Sequence, residues 1–247
     1  MDLPEPLGAL VAVGLAALLV MLRFDAERFG AAEYDEATSG HAPPLWRRLA
    51  WYGLGAAGIL AIASLHPRPE GDLFLGPGDR GAALIGGFLY GAIGTGQAIA
   101  FAWLRYQHLR LPDPASYPGA LLNSVATAFV DEGAFRGAIL GLMLVAGIDP
   151  SVANLTQALL YALSTRLGAP GRDPYMLVLA LLIGLGGGWL TIATGGIAAA
   201  FLGHAVTRFA VFLCTGHAGQ VALRGREVED IERRRRPPEG WRVIGSR

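Results

Sequence analysis

The sequence predicts an all-α fold, a polytopic membrane helix bundle of about seven spans. Three observations predict it. Hydrophobic residues make up 53% of the 247 residues and charged residues only 16%, against about a quarter in a typical soluble domain. The mean hydropathy is +0.42. The apolar residues are gathered into runs close to the roughly 20 residues that a helix needs to cross a bilayer, and loops rich in Pro and Gly separate these runs.

The predicted spans follow one another with short connections, and no connection is long enough to form a soluble domain. They lie near residues 6–23, 46–65, 81–105, 118–146, 151–166, 175–193 and 196–214. The fifth is the shortest and carries the polar sequence ANLTQALLYALST. The N-terminal sequence MDLPEP is acidic and lacks the basic region of a secretory signal, so we expect the first run to remain in the protein as a span.

Arginine predicts the orientation of the bundle, because all 20 basic residues are arginine. With the N-terminus outside, 16 of the 20 lie in cytoplasmic segments and two in outer loops. The cytoplasmic loop after the first span would hold Arg23, Arg28, Arg47 and Arg48. Because positive residues are retained in the cytoplasm, we expect the N-terminus outside and the C-terminus in the cytoplasm of a bacterial plasma membrane.

The chain divides into three predicted regions. Residues 1–117 hold three spans and their loops, residues 118–214 hold the core spans, and residues 215–247 form an arginine-rich tail. The tail sequence IERRRRPPEGWRVIGSR is expected to act as an anchor at the inner leaflet. The lipid bilayer is therefore the expected partner of the tail, and nucleic acid is not expected.

Ionisable residues interrupt the fourth predicted span, in the sequence FVDEGAFRG. Glu132 and Arg136 are four residues apart, so they share a helix face and can pair. Asp131 is offset by about 100° and is expected to face a neighbouring helix. A second stripe, Gly133, Gly137 and Gly141, predicts close approach of another segment.

The seventh predicted span carries His204 and Arg208, again four residues apart. Counted together, Asp131 and Glu132 balance Arg136 and Arg208, which favours a closed buried network. Two interpretations remain open at this point. The network fixes helix packing, or the acids and the histidine bind and activate water.

Three segments resemble, in order, the signatures of the CPBP family, which contains type II CAAX prenyl endopeptidases and bacteriocin-related proteins. DEGAFRG resembles the EExxxR element. QALLYALSTRL resembles an element in which an aromatic residue precedes a histidine by four positions. GLGGGWLTIATGGIAAAFLGHAVTRF resembles a glycine-rich helix and T-G turn that lead to HxxxN. The resemblance covers about residues 118–214 and implies a helical membrane fold.

The resemblance also implies roles for particular residues, because the family's members are regarded as glutamate-dependent intramembrane endopeptidases. Asp131 and Glu132 would be the acid pair that activates water, and Arg136 would be the motif arginine. His204 would be the histidine on the oxyanion side. No cofactor is implied, and the residues do not favour a metal site, since one well-placed histidine lies among arginines.

This sequence departs from the family pattern at three positions. Asp131 replaces the first glutamate. Tyr161 takes the aromatic position of the second element, but Thr165 stands where histidine is expected, and a threonine hydroxyl does not accept a proton near neutral pH. Arg208 replaces the asparagine, where it would either stabilise an oxyanion or clamp the carboxylates and lower their basicity.

Three functions follow from these observations. The first is an intramembrane endopeptidase with altered catalytic residues, and the second is a non-catalytic relative that binds a peptide, a lipid or a partner subunit in the same cavity. The third is a small transporter, since intramembrane acids also mark ion paths. The substitutions favour impaired catalysis, because losing one positioned acid–base group costs about 10²–10⁴-fold in rate.

Overall fold

The computed structural model describes residues 5–31, 45–107, 109–112, 114–165, 174–215 and 242–244. The predicted all-α fold class is confirmed. The longer helices are α1 (Glu5–Phe24), α3 (Leu45–Leu65), α5 (Arg80–Tyr106), α6 (Tyr117–Asp131), α8 (Pro150–Ser164), α9 (Pro174–Thr194) and α10 (Ala198–Thr215). The short ones are α2 (Ala26–Phe29), α4 (Pro69–Asp72), a 3₁₀ turn (Pro114–Ser116), a π-helix (Glu132–Ile139) and α7 (Leu140–Val145).

Within the described residues, five helices are long and apolar enough to cross a membrane: α1, α3, α5, α9 and α10. Their outward faces carry large exposed side chains such as Leu10, Leu60 and Leu104, as expected of surfaces that contact lipid. The predicted fourth span is divided among α6, the π-helix and α7, and the predicted fifth is the 15-residue α8. The number of spans and their orientation stay predictions.

The divided fourth span is one continuous helical rod. Asp131, Ile139 and Leu140, at the junctions, all have right-handed helical dihedrals. Between them the π-helix widens the turn, and Leu140 N–H donates to Phe135 O, five residues back. Every residue of the π-helix is buried, so this rod lies at the centre of the bundle.

Close helix pairs surround the rod: α1 with α3, α8 with α9, and α5 with α10. The α5–α10 pair is tight because glycines of α5 face side chains of α10. A Cβ at Gly91 would lie 2.9 Å from Val206 Cβ, and one at Gly94 would collide with Thr207. Tyr90 packs against Gly203 in the same way. These contacts hold α10, with His204, against the rod.

The segment 66–79, which contains α4 and is here called the strap, crosses the rod near α7. Leu73 of the strap is fully buried, and its Cα lies 2.5 Å from where a Cβ of Gly141 would stand. The strap is also bound to the turn between α9 and α10, because Ile197 N–H donates to Phe74 O at 3.0 Å and Asp79 N–H donates to Thr194 O at 2.8 Å. The predicted glycine stripe therefore meets a loop backbone at Gly141.

Two short strands depart from the helical pattern. Strand β1 (Leu109–Leu111) pairs with β2 (Arg242–Ile244) in antiparallel register, and β1 also packs against α5 and α10. Three-residue segments are too short to show a strand period in the sequence, so the sequence did not predict them. The remainder of the predicted arginine-rich tail lies outside the described residues.

Candidate functional site

Glu132 is the centre of a buried polar group formed where the π-helix meets α10. Its Oε1 lies 2.6 Å from His204 Nδ1, and its Oε2 lies 3.3 Å from Arg136 Nε. Glu132 and Arg136 are fully buried, and His204 is nearly so. The pair of Glu132 with Arg136, predicted from their spacing of four residues, is confirmed. His204, 72 residues later in the chain, completes the group.

Tyr161 of α8 contacts both partners of Glu132. Its hydroxyl lies 3.3 Å from His204 Nε2, and the Arg136 guanidinium lies 4.2 Å from the centre of its ring. If Glu132 is ionised, His204 Nδ1 carries the hydrogen that it donates to the carboxylate. The Nε2 of a neutral imidazole then accepts from the Tyr161 hydroxyl. The arrangement is a carboxylate–imidazole–phenol chain with a guanidinium on one side.

The centre of α9 supports Arg136 from the other side. Arg136 Nη2 donates to Ile183 O at 3.2 Å, and the Tyr90 hydroxyl donates to the same carbonyl at 2.6 Å. Gly187 provides the space, since a Cβ there would lie 3.2 Å from Arg136 Nε. The glycine-rich sequence of α9 thus lets a guanidinium lie against helix backbone. The sequence analysis identified the glycines but did not identify Tyr90 as part of the site.

Asp131 faces a different element, as its offset along the helix predicted. Its Oδ1 lies 2.9 Å from Arg23 Nε, and the side chains are 0% and 5% exposed. The N–H of Arg23 is not aligned with the carboxylate, so the contact is an ion pair without a well-formed hydrogen bond. Arg23 is therefore a buried residue of α1, and not a residue of the loop after the first span as the arginine count predicts; the side of the membrane on which it lies stays a prediction.

The reason for this error is local. Helix α1 continues to Phe24, so Arg23 lies in its last turn and faces the bundle. A basic residue at the end of an apolar run has the same sequence pattern whether it anchors the helix at the membrane surface or pairs inside. The charge balance predicted from the sequence sets two buried acids against Arg136 and Arg208. It therefore omits a third buried cation, Arg23.

Arg208 lies on α10, one turn beyond His204. Its Nη2 donates to Asn123 Oδ1 at 3.1 Å, and Asn123 Nδ2 donates to the Tyr52 hydroxyl at 2.9 Å. Arg208 is half-buried and lies within electrostatic reach of Asp131. No feature of the sequence distinguishes Asn123, which lies about two helical turns before Asp131 and is also buried.

Thr165 stands at the C-terminal cap of α8, one turn beyond Tyr161. It is 5% exposed, and its hydroxyl donates to Ala162 O at 2.6 Å.

The structure brings together five of the predicted site residues: Asp131, Glu132, Arg136, Tyr161 and His204. Within the described ranges, no group of three His, Cys, Asp or Glu side chains is arranged to hold a metal ion.

Residues 113–210 match the family described as type II CAAX prenyl endopeptidase Rce1-like. This segment of the chain is similar to the Rce1-like family. No curated protein matches the chain, and no solved structure does. The Rce1-like segment contains all seven candidate site residues predicted from the sequence, whereas Arg23 and Tyr90 precede it.

Together with the long apolar helices, the Rce1-like segment makes this chain a membrane-embedded, intramembrane protease-like protein. The resemblance to the CPBP family, based on three short motifs, is confirmed by this match.

Proposed function

We propose that this chain is an Rce1-like protein with impaired or absent peptide-bond hydrolysis, which uses its buried acid site to bind a membrane peptide, a lipid or a partner subunit. One observation carries the proposal: each acid of the DEGAFR motif has a buried cation as its partner. Arg23 pairs with Asp131, and Arg136 pairs with Glu132. The membrane of residence in this proposal is the bacterial plasma membrane.

Hydrolysis of an amide requires a group that takes a proton from water as the water attacks. An arginine beside a carboxylate stabilises the negative charge of the carboxylate. The carboxylate therefore takes a proton from water less readily. Thr165, at the family's histidine position, donates its hydroxyl to Ala162 O and supplies no base. These contacts support a binding site over a hydrolytic one.

A second candidate is a hydrolase that uses Glu132 and His204 in an altered arrangement. The observation in its favour is the 2.6 Å contact between Glu132 Oε1 and His204 Nδ1. A carboxylate that contacts Nδ1 in this way orients the imidazole and fixes its tautomer. Transport ranks below both candidates, because the acids already have cationic partners within the chain.

We expect the purified wild-type protein in lipid nanodiscs to cleave a farnesylated CAAX peptide no faster than the Glu132→Gln variant, per folded molecule. The reason is that neither acid is free to act as the base. Cleavage would be measured by the release of the C-terminal tripeptide in mass spectrometry, with a prenylated and an unprenylated peptide in parallel.

The Glu132→Gln variant is a suitable control, because the amide oxygen can still accept a hydrogen bond from Arg136. Wild-type cleavage that Glu132→Gln abolishes would refute the proposal and establish the second candidate. Wild-type cleavage that survives in Glu132→Gln would point to a contaminating protease, to be removed by repurification before the comparison is repeated.

A further inference from the structure

We propose that Asp131 forms a binding site for a guanidinium cation, and that Arg23 of α1 is the ligand which the chain itself supplies. The external ligand of the same chemistry is an arginine side chain of a membrane peptide, which would displace the Arg23 guanidinium from Asp131. The proposal does not depend on whether the protein hydrolyses peptides.

The Asp131 carboxylate retains capacity for hydrogen bonds. Both of its oxygens are buried, and neither has an aligned hydrogen-bond donor among the described residues. Arg23 Nε and Nη1 are likewise buried without aligned acceptors, although Nε is 2.9 Å from Asp131 Oδ1. Buried polar atoms are usually paired. This contact balances the charge of Asp131, but its carboxylate oxygens can still accept hydrogen bonds from a better-aligned guanidinium.

Arg23 enters the site from outside the Rce1-like segment. Helix α1 ends beside α3, where Trp51 Nε1 donates to Leu22 O at 2.8 Å. The Arg23 guanidinium also lies 6.0 Å from the centre of the Trp51 ring. These two contacts fix the position of Arg23, whereas Asp131 is fixed by the central rod. Apolar side chains of α1 pack against the π-helix independently of this ion pair, so the Arg23 side chain could leave Asp131 while the helix stays in place.

Other charged and titratable groups surround Asp131. Arg208 of α10, Arg136 of the π-helix and Tyr161 of α8 lie within its electrostatic reach, and Glu132 is the next residue. None of these groups is at the end of α1. Loss of Arg23 would therefore leave a vacancy of guanidinium size on the α1 side of Asp131.

A guanidinium is planar, always charged and weakly hydrated, so it fits such a buried carboxylate better than a compact ammonium does. We expect the vacancy in Arg23→Ala to bind methylguanidinium. Urea has a similar planar shape without the charge, and methylammonium has the charge without the planar donors. Urea therefore tests whether the planar shape alone is enough for binding, and methylammonium tests whether the charge alone is enough.

The experiment uses a hydrophobic carbodiimide, which modifies protonated carboxyl groups, on the full chain in nanodiscs. Modification of Asp131 would be quantified by peptide mass spectrometry. We expect several-fold more modification in Arg23→Ala than in the wild type, because the guanidinium that lies against the Asp131 carboxylate is removed. Millimolar methylguanidinium should return the modification to the wild-type level, while urea should have no effect.

Arg28→Ala is the matched control, because Arg28 is 79% exposed and pairs with Asp25 on the surface. It should leave the modification of Asp131 unchanged. Methylguanidinium should raise the melting temperature of Arg23→Ala but not that of Arg23→Ala/Asp131→Asn. If Arg23→Ala does not accumulate, Arg23→Gln provides the same comparison. Equal modification of wild type and variant, or equal protection by urea and methylguanidinium, would overturn the proposal.

Discussion

Replacement of Glu132 by Met is expected to lower the free energy of unfolding by about 3–5 kcal/mol, the usual cost of removing one partner from a buried ion pair. Arg136 is fully buried and pairs with Glu132 at 3.3 Å. An arginine cannot neutralise itself by losing its proton, so the variant leaves a guanidinium with a weaker set of acceptors. Reversible unfolding in mixed micelles would measure the change.

The double variant Glu132→Met/Arg136→Met is the control for this interpretation. It removes both charges and keeps similar side-chain volumes, so it should recover most of the lost stability. A double variant that is as unstable as Glu132→Met would mean that packing around the π-helix, and not the unpaired charge, causes the loss. Glu132→Gln should cost less, because its amide oxygen can accept from Arg136 while its NH2 group donates to Nδ1 of a neutral His204.

The second large effect is expected for Gly141→Ala, which should cost about 1–3 kcal/mol through overpacking. The new Cβ would stand 2.5 Å from Leu73 Cα and 2.6 Å from Asp72 O, both in the strap. These are backbone atoms, and they cannot rotate away. The strap must therefore shift and weaken its hydrogen bonds to the α9–α10 turn. The melting temperature in detergent would report the loss.

Gly133→Ala on the same stripe provides the comparison. Its Cβ would meet Ile59 Cδ1 at 2.6 Å, which is the mobile tip of a side chain. This variant should therefore be clearly less destabilised than Gly141→Ala. Equal losses at the two glycines would show that helix propensity, and not contact with the strap, sets the cost.

Local spacing predicted the parts of the site that lie within one helix. The pair of Glu132 with Arg136 follows from their separation of four residues, and the offset of Asp131 correctly placed its partner on another element. The glycine stripe predicted close approach, although a loop, and not a helix, approaches Gly141. The family motifs implied a role for His204, which lies beside Glu132, while the role itself stays a prediction; they implied no contact for Tyr161, which the structure places against His204 and Arg136.

The parts that could not be predicted depend on contacts between distant segments. Arg23 and Asp131 are paired across most of the N-terminal half of the chain, and nothing in the local sequence of α1 distinguishes a buried terminal arginine from a topological one. The same holds for Asn123 as the acceptor for Arg208. The π-helix was also not predicted, because a single widened turn leaves the pattern of apolar residues almost unchanged.

The widened turn at Glu132–Ile139 makes the number of residues in this stretch matter as much as their identity. Each residue added to or removed from an α-helix rotates everything beyond it by about 100°. A π-turn accommodates one residue more than the α-helical turn. Deleting a residue here would therefore restore ordinary helical winding and leave Gly141 facing the strap, but it would re-aim the side chains inside the π-helix, Arg136 among them. Related chains that differ in length at this point should therefore direct different side chains into the site, even where the motif residues are identical.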